Sequence, residues 1–135
     1  MKITLLTCAE SVVVDQRTNK VSVFNVIDSI NVPLFPFVMQ RMTVLSMFSR
    51  TPEEPVEPQG FELVIALAGQ ELLRSGLQMN FSHHPQLRHM FEVQSVVIAT
   101  PGVLTISVTD PNRLALASWD VLVTNIGAPT AEQLE

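Results

Sequence analysis

No disulfide can form within this chain, because its 135 residues include one cysteine, Cys8. A lone cysteine fits a reducing compartment and leaves core burial to stabilise the fold. A chain of this length is expected to form one domain that buries roughly two-thirds of its unfolded surface. Charge is scarce too. Charged residues make up 16% of the chain and hydrophobic ones 47%, where about 25% charged is typical. Two readings follow: an apolar surface kept for assembly or a partner, or an exterior of Thr, Ser, Gln and Asn. The eight Lys and Arg residues are scattered from Lys2 to Arg113. No cluster can neutralise a run of phosphates or an anionic membrane, so neither nucleic acid nor membrane is the expected partner. Only five glycines are present, and none forms a phosphate-cradling loop. Uninterrupted apolar runs of about 18 residues are absent, so no transmembrane helix is expected. The opening apolar stretch falls short of the roughly 7–15 residues of a secretory core. A cytoplasmic location is the expectation.

What the chain does have is alternation. In residues 61–68, Phe61, Leu63, Ile65 and Leu67 share one face. In residues 103–109, Leu104, Ile106 and Val108 oppose Thr105, Ser107 and Thr109. Period-two alternation marks strands with one dry and one wet face, the habit of antiparallel sheets. Similar runs cover 2–14 (with a break near Cys8–Ser11), 21–31, 39–49, 71–82, 89–99 and 114–123. Polar turns separate them: Asp15–Lys20, Ala68-Gly69-Gln70, Thr100-Pro101-Gly102 and Asp110–Arg113. Pro-Gly suits the centre of a type II turn, and Asp110–Arg113 should close a hairpin of the last two strands. The only helical candidates are Glu71–Leu77 and one turn over 85–90. Short strands at about ten-residue spacing predict an all-β domain, a single antiparallel β-sandwich of Ig-like or Greek-key type with roughly 7–9 strands. It should span residues 1–126, with 127–135 as a flexible tail. Residues 51–60, rich in Pro and Glu, form a solvated loop, read either as a connector or as a binding arm.

Several constellations bear on chemistry. His83, His84 and His89 lie close together and are the candidate metal ligands. Pro85 ends any strand before it, which would let His83 and His84 converge, but no cysteine pair or acidic partner stands at ligand spacing. The alternative is a polar loop with surface imidazoles. Asp15, Asp28, Asp110 and Asp120 stand singly, without the dense spacing of a calcium loop; turn chemistry explains them better. Asp28 is the odd one, set within Val26-Ile27-Asp28-Ser29-Ile30, where it faces solvent, marks a bulge or pairs with an arginine. Cys8 could serve as a nucleophile beside a histidine. After Leu5-Leu6-Thr7, though, it is expected in or near the core, where a thiol is inert. The chain has no Tyr, and its only Trp, Trp119, shares a face with Ala117 and Val121. It is expected in the core and not as a sugar-stacking platform. The six methionines suit a core or an adaptable interface.

Cys8-Ala9-Glu10, then Asp15 and Lys20, then Ser22-Val23-Phe24-Asn25-Val26-Ile27-Asp28, then Phe35-Pro36, resembles a bacterial family of small proteins of unknown function. Its members carry a C-A-E … L-S-x-F-x-x-I-D … F-P pattern. Pro101-Gly102-Val103, which leads into the last pair of strands, fits it as well. The resemblance implies a sandwich-like fold and no activity, and it singles out Cys8, Glu10 and Asp28 as the matched polar positions. No cofactor is expected. The function expected from these readings is a non-enzymatic binding or assembly module whose partner is protein, a second copy included. The alternatives are a small metal-dependent enzyme or metal-binding domain using the His83, His84 and His89 region, and a glycan-binding sandwich.

Overall fold

The computed structural model describes residues 1–54, 59–81 and 84–126. Nine strands are present among them: β1 (Lys2–Val14), β2 (Val21–Val26), β3 (Ser29–Val32), β4 (Phe37–Ser49), β5 (Gln59–Leu67), β6 (Gln70–Met79), β7 (Gln86–Ile98), β8 (Gly102–Thr109) and β9 (Ala115–Asn125). The domain is all-β, with no helix among the described residues. Both helical candidates are strand instead: 71–77 lies within β6 and 86–90 opens β7. No helix there is long and apolar enough to cross a membrane.

Two sheets pack face to face. One has the order β2-β1-β4-β7, and the other β3-β9-β8-β5-β6. Every pairing is antiparallel except β3 with β9, which is parallel. The expected in-and-out rows meet between the sheets: Leu6, Cys8, Met42, Val44 and Phe48 from one, Phe61, Leu63, Ile65, Leu104, Ile106 and Val108 from the other. Phe48 and Phe61 join them directly, with ring centroids 5.5 Å apart.

The turns follow local chemistry. Asp15 Oδ1 accepts from the amides of Arg17 and Thr18, and Asp110 Oδ1 from those of Asn112 and Leu114. These are the aspartate turns expected of those residues. Ala68 and Gly69 both have positive φ, 49° and 84°, as a two-residue hairpin turn requires. Pro101-Gly102 departs from expectation. Gly102 has φ 150° and already begins β8, so no type II turn forms.

Two departures matter for the site. Residues 21–31 are not one strand. The chain leaves the first sheet after Val26 and enters the second at Ser29, so Asp28 marks the crossing. β1 is continuous through Cys8–Ser11, but it changes partner there. It pairs with β4 up to Ala9↔Thr43, and beyond that point only with β2.

That change of partner begins a fold-back. Arg88, on β7 opposite Met47, donates from Nη2 to the carbonyl of Asn19 at 3.0 Å. Asn19, in the β1–β2 turn, also lines a cleft with Thr4, Met47 and Arg88. The far end of the β1–β2 hairpin therefore lies over the outer face of its own sheet. This explains an otherwise odd burial. Leu45 alternates with the core residues Val44 and Ser46's neighbour Phe48, so it points outward, yet it is 0% exposed. Thr7, Ala9 and Thr43 share that face and are also buried. The hairpin has a half-buried row, Val12, Val14, Val21 and Val23, and its Val13 and Phe24 are exposed.

Candidate functional site

Of the sequence pattern, Cys8, Glu10 and residues 25–28 gather at one corner, where the hairpin bends and the chain changes sheet, while Asp15 and Lys20 lie in the turn at the far end of the hairpin. Cys8 lies at the corner's base, fully buried, with its Sγ 3.1 Å from Met42 Sδ. Its carbonyl accepts from the amide of Ile27 at 2.7 Å. Across the bend, Asn25 takes a left-handed backbone (φ 56°), and its Nδ2 donates to Glu10 at 2.9 Å. Asn tolerates this conformation better than most residues because its short amide bonds locally. Next come the two carbonyls of the crossing. Ile27 O accepts from Trp119 Nε1 at 2.8 Å, and Asp28 O from the Leu122 amide at 3.0 Å. Ile27 is thus bonded to both sheets. The Asp28 side chain faces solvent, the first of its three sequence readings, and the residue stands between β2 and β3 and not within a strand. Phe35-Pro36, in the cis form, completes the corner.

A groove of about 730 Å³ opens here, where β1 and β4 part. Glu10 and Ser11 form one wall, Phe37 to Arg41 the other, with Ile27, Ser29 and Ile30 between them. Ile27 and Ile30 supply apolar surface between the walls. Its polar groups do not converge: Glu10 is held by Asn25, and Arg41 pairs outside the groove with Glu92 at 3.3 Å. No hydrogen bond or ion pair joins Glu10, Ser11 and Arg41. A second cleft of about 560 Å³ lies among Gly60–Glu62, Gly76–Gln78 and Asp110–Arg113. There Glu62 is bonded to Arg74, and Asp110 holds its own turn.

The candidate chemical residues fall as follows. Burial pushes the Cys8 thiol up to about 12, which leaves it protonated and inert under ordinary conditions. Among the described residues its thiol bonds to Met42 and not to a histidine. We expect no alkylation of Cys8 by iodoacetamide at pH 8 in the folded protein and full alkylation in denaturant. Rapid labelling of the native chain, read by mass spectrometry, would contradict the buried placement. His83 lies outside the described residues. His84 is exposed, with its amide bonded to the Phe81 carbonyl and its own carbonyl to Arg50 Nε. His89 is half-buried on β7 and stacked with Phe91, and burial holds its imidazole below the usual range. Among the described residues no three His, Cys, Asp or Glu side chains are grouped as metal ligands. The four aspartates are likewise apart, with Asp120 bonded to Thr105 Oγ1.

Trp119 packs against the core as expected, and its indole N–H is already used by Ile27. The proline-rich loop begins as a tight turn, in which the Glu54 carboxylate accepts from the amide and hydroxyl of Thr51. Residues 55–58 and the 127–135 tail lie outside the described residues. What sequence reasoning missed is the role of Asn25, whose Asn-in-strand position was the available signal, and the partnership of Trp119 with Ile27, for which there was none.

The arrangement spans one continuous unit from β1 into β9, and a family model matches residues 4–117 of it. The chain belongs to a family of unknown function, DUF6941. The match takes in the corner from Cys8 through Phe35-Pro36 and ends at Ala117 on β9, before Trp119 and Leu122. No curated protein matches the chain. For this DUF6941 member the site must therefore be read from its own residues.

Proposed function

We propose that this DUF6941 protein is a non-enzymatic binding or assembly module for protein partners, acting in the cytoplasm. The observation that carries the reading is apolar surface left uncovered beside the groove. Phe24 is 51% exposed, and Val13 and Val26 equally so. Val38 and Val97 form an exposed cross-strand pair next to the groove wall. In a chain this poor in charge, exposed large side chains grouped around a concave surface fit a protein interface better than a solvated exterior. A free, buried Cys8 is consistent with a reducing compartment.

The fold proposed for the module is an Ig-like Greek-key sandwich. Two features of the strand order support it. The run β6-β5-β8-β9 matches the C′-C-F-G order of such domains, and β4 beside β7 matches their B–E pair. The β1–β2 hairpin is then an addition at the front.

Capture from native lysate tests the reading when wild type is compared with Phe24→Ser and Val38→Ser. Both side chains are half exposed, so each change should alter stability by about 0.5 kcal/mol or less. The expected result is a protein retained stoichiometrically by wild type and lost from both variants. Retention of nothing above background, or equal retention by all three, overturns it.

A further inference from the structure

The structure assigns the open edge of β7 as a pairing site for the same strand of a second copy, antiparallel and centred on Met90. This rests on the assembly reading above and names one partner for it.

β7 is the edge of its sheet, with β4 on one side and no strand on the other among the described residues. The Arg50 amide donates to the Pro85 carbonyl at 2.9 Å, continuing the register in which Ser49 pairs with Gln86. Pro85 therefore directs its backbone toward β4, and by alternation so do Leu87, His89 and Phe91. The 3.4 Å contact from Ser46 Oγ to the His89 carbonyl agrees. Gln86, Arg88, Met90, Glu92 and Gln94 consequently point their N–H and C=O groups out of the open edge.

Charge decides what fits there. Two β7 edges that pair antiparallel about Met90 set Arg88 opposite the Glu92 of the other copy, twice over. Met90 then meets Met90, and it is 45% exposed as a monomer. These side chains share the outer face, since the odd-numbered Leu87, Phe91 and Val93 belong to the core side. On that inner side Leu87 meets Val93 and His89 meets Phe91, which covers three half-buried side chains at the rim of the core. The usable stretch has the same symmetry. Pro85, which has no N–H, bounds it at one end, and Ser95, with φ 59°, at the other. The two lie equally far from Met90. On β7 these charges also have partners in their own chain, Arg88 at the Asn19 carbonyl and Glu92 at Arg41 and Gln94, and the pairing adds to those bonds. The edge of the other sheet, β6, lacks the match because its charges, Glu71 and Arg74, are three residues apart, and a two-fold antiparallel pairing sets opposite each other only residues an even number apart. Pairing through β7 would join two four-stranded sheets into one continuous sheet.

The test uses the purified full chain, with its association measured by sedimentation across a wide concentration range. Wild type is expected to dimerise. Met90→Pro removes an N–H that only the second copy uses, and edge strands tolerate proline where the N–H faces outward. It should be monomeric with an unchanged circular dichroism spectrum. Arg88→Glu and Glu92→Arg each place like charges opposite one another, and each should weaken the dimer about tenfold or more. The double variant R88E/E92R restores opposite charges in this register alone, and should recover most of the wild-type association. A wild-type monomer at high concentration, a folded Met90→Pro dimer, or a double variant no better than the singles would each overturn the assignment. None of these outcomes alters the lysate comparison, which uses Phe24 and Val38, so the two readings can fail separately.

Discussion

Leu45→Ala is expected to destabilise the domain by about 2–5 kcal/mol, the usual cost of emptying a fully buried leucine site. The value is informative because of where Leu45 sits. Its neighbours Val44 and Phe48 point into the core between the sheets, so alternation directs Leu45 to the opposite face. A leucine on a solvated sheet face would lose about 0.5 kcal/mol or less on truncation. The large expected value follows from its 0% exposure, and the hairpin held at its far end by Arg88 on the Asn19 carbonyl is the element placed to cover it. Urea unfolding of the variant and wild type measures the difference. A change below about 1 kcal/mol would mean that the hairpin does not cover Leu45 in solution. Arg88→Glu, made for the pairing test, also loosens this anchor, so the two experiments should be read together.

Phe48→Ala should cost about 3–5 kcal/mol. Phe48 is 0% exposed and belongs to β4, while its ring partner Phe61 belongs to β5 in the other sheet. Truncating it removes packing on both sides of the interface between the sheets, and the backbone of neither sheet can collapse to fill the gap. A domain of this kind is stable by about 5–15 kcal/mol. The loss therefore takes a large share of the total, and the unfolding midpoint should fall steeply. Equilibrium denaturation gives the value. A cost under about 1 kcal/mol would show that the two sheets do not pack through this pair.

Much of the fold was legible in local pattern. The strands at 61–68 and 103–109 were visible because alternating side chains have one physical use, a half-dry strand. Asp15 and Asp110 were legible as turn residues because their bonds reach only to nearby amides. Cys8 was legible as buried from the apolar residues before it. The segment 21–31 was misread because its Val and Ile content is continuous. What divides it is the indole N–H of Trp119 and the amide of Leu122, on a strand that lies far along the chain. Residues 71–77 suited a short helix by composition, but pairing with β5 made them strand. Of the candidate site, Cys8, Glu10 and Asp28 were marked by resemblance, and only their convergence with Asn25 and Ile27 shows one corner.

By itself, then, the sequence determined that this chain makes two-faced strands, that they need a shared dry interior, and where the tight turns fall. Those properties depend on a residue and its near neighbours. The tertiary structure alone decided which strands are adjacent, that Val26 and Ser29 belong to different sheets, that Leu45 is buried on the outward face of its strand, and that β7 keeps an open edge among the described residues. Each of these depends on backbone groups meeting across long stretches of chain, and side-chain alternation carries no record of such meetings.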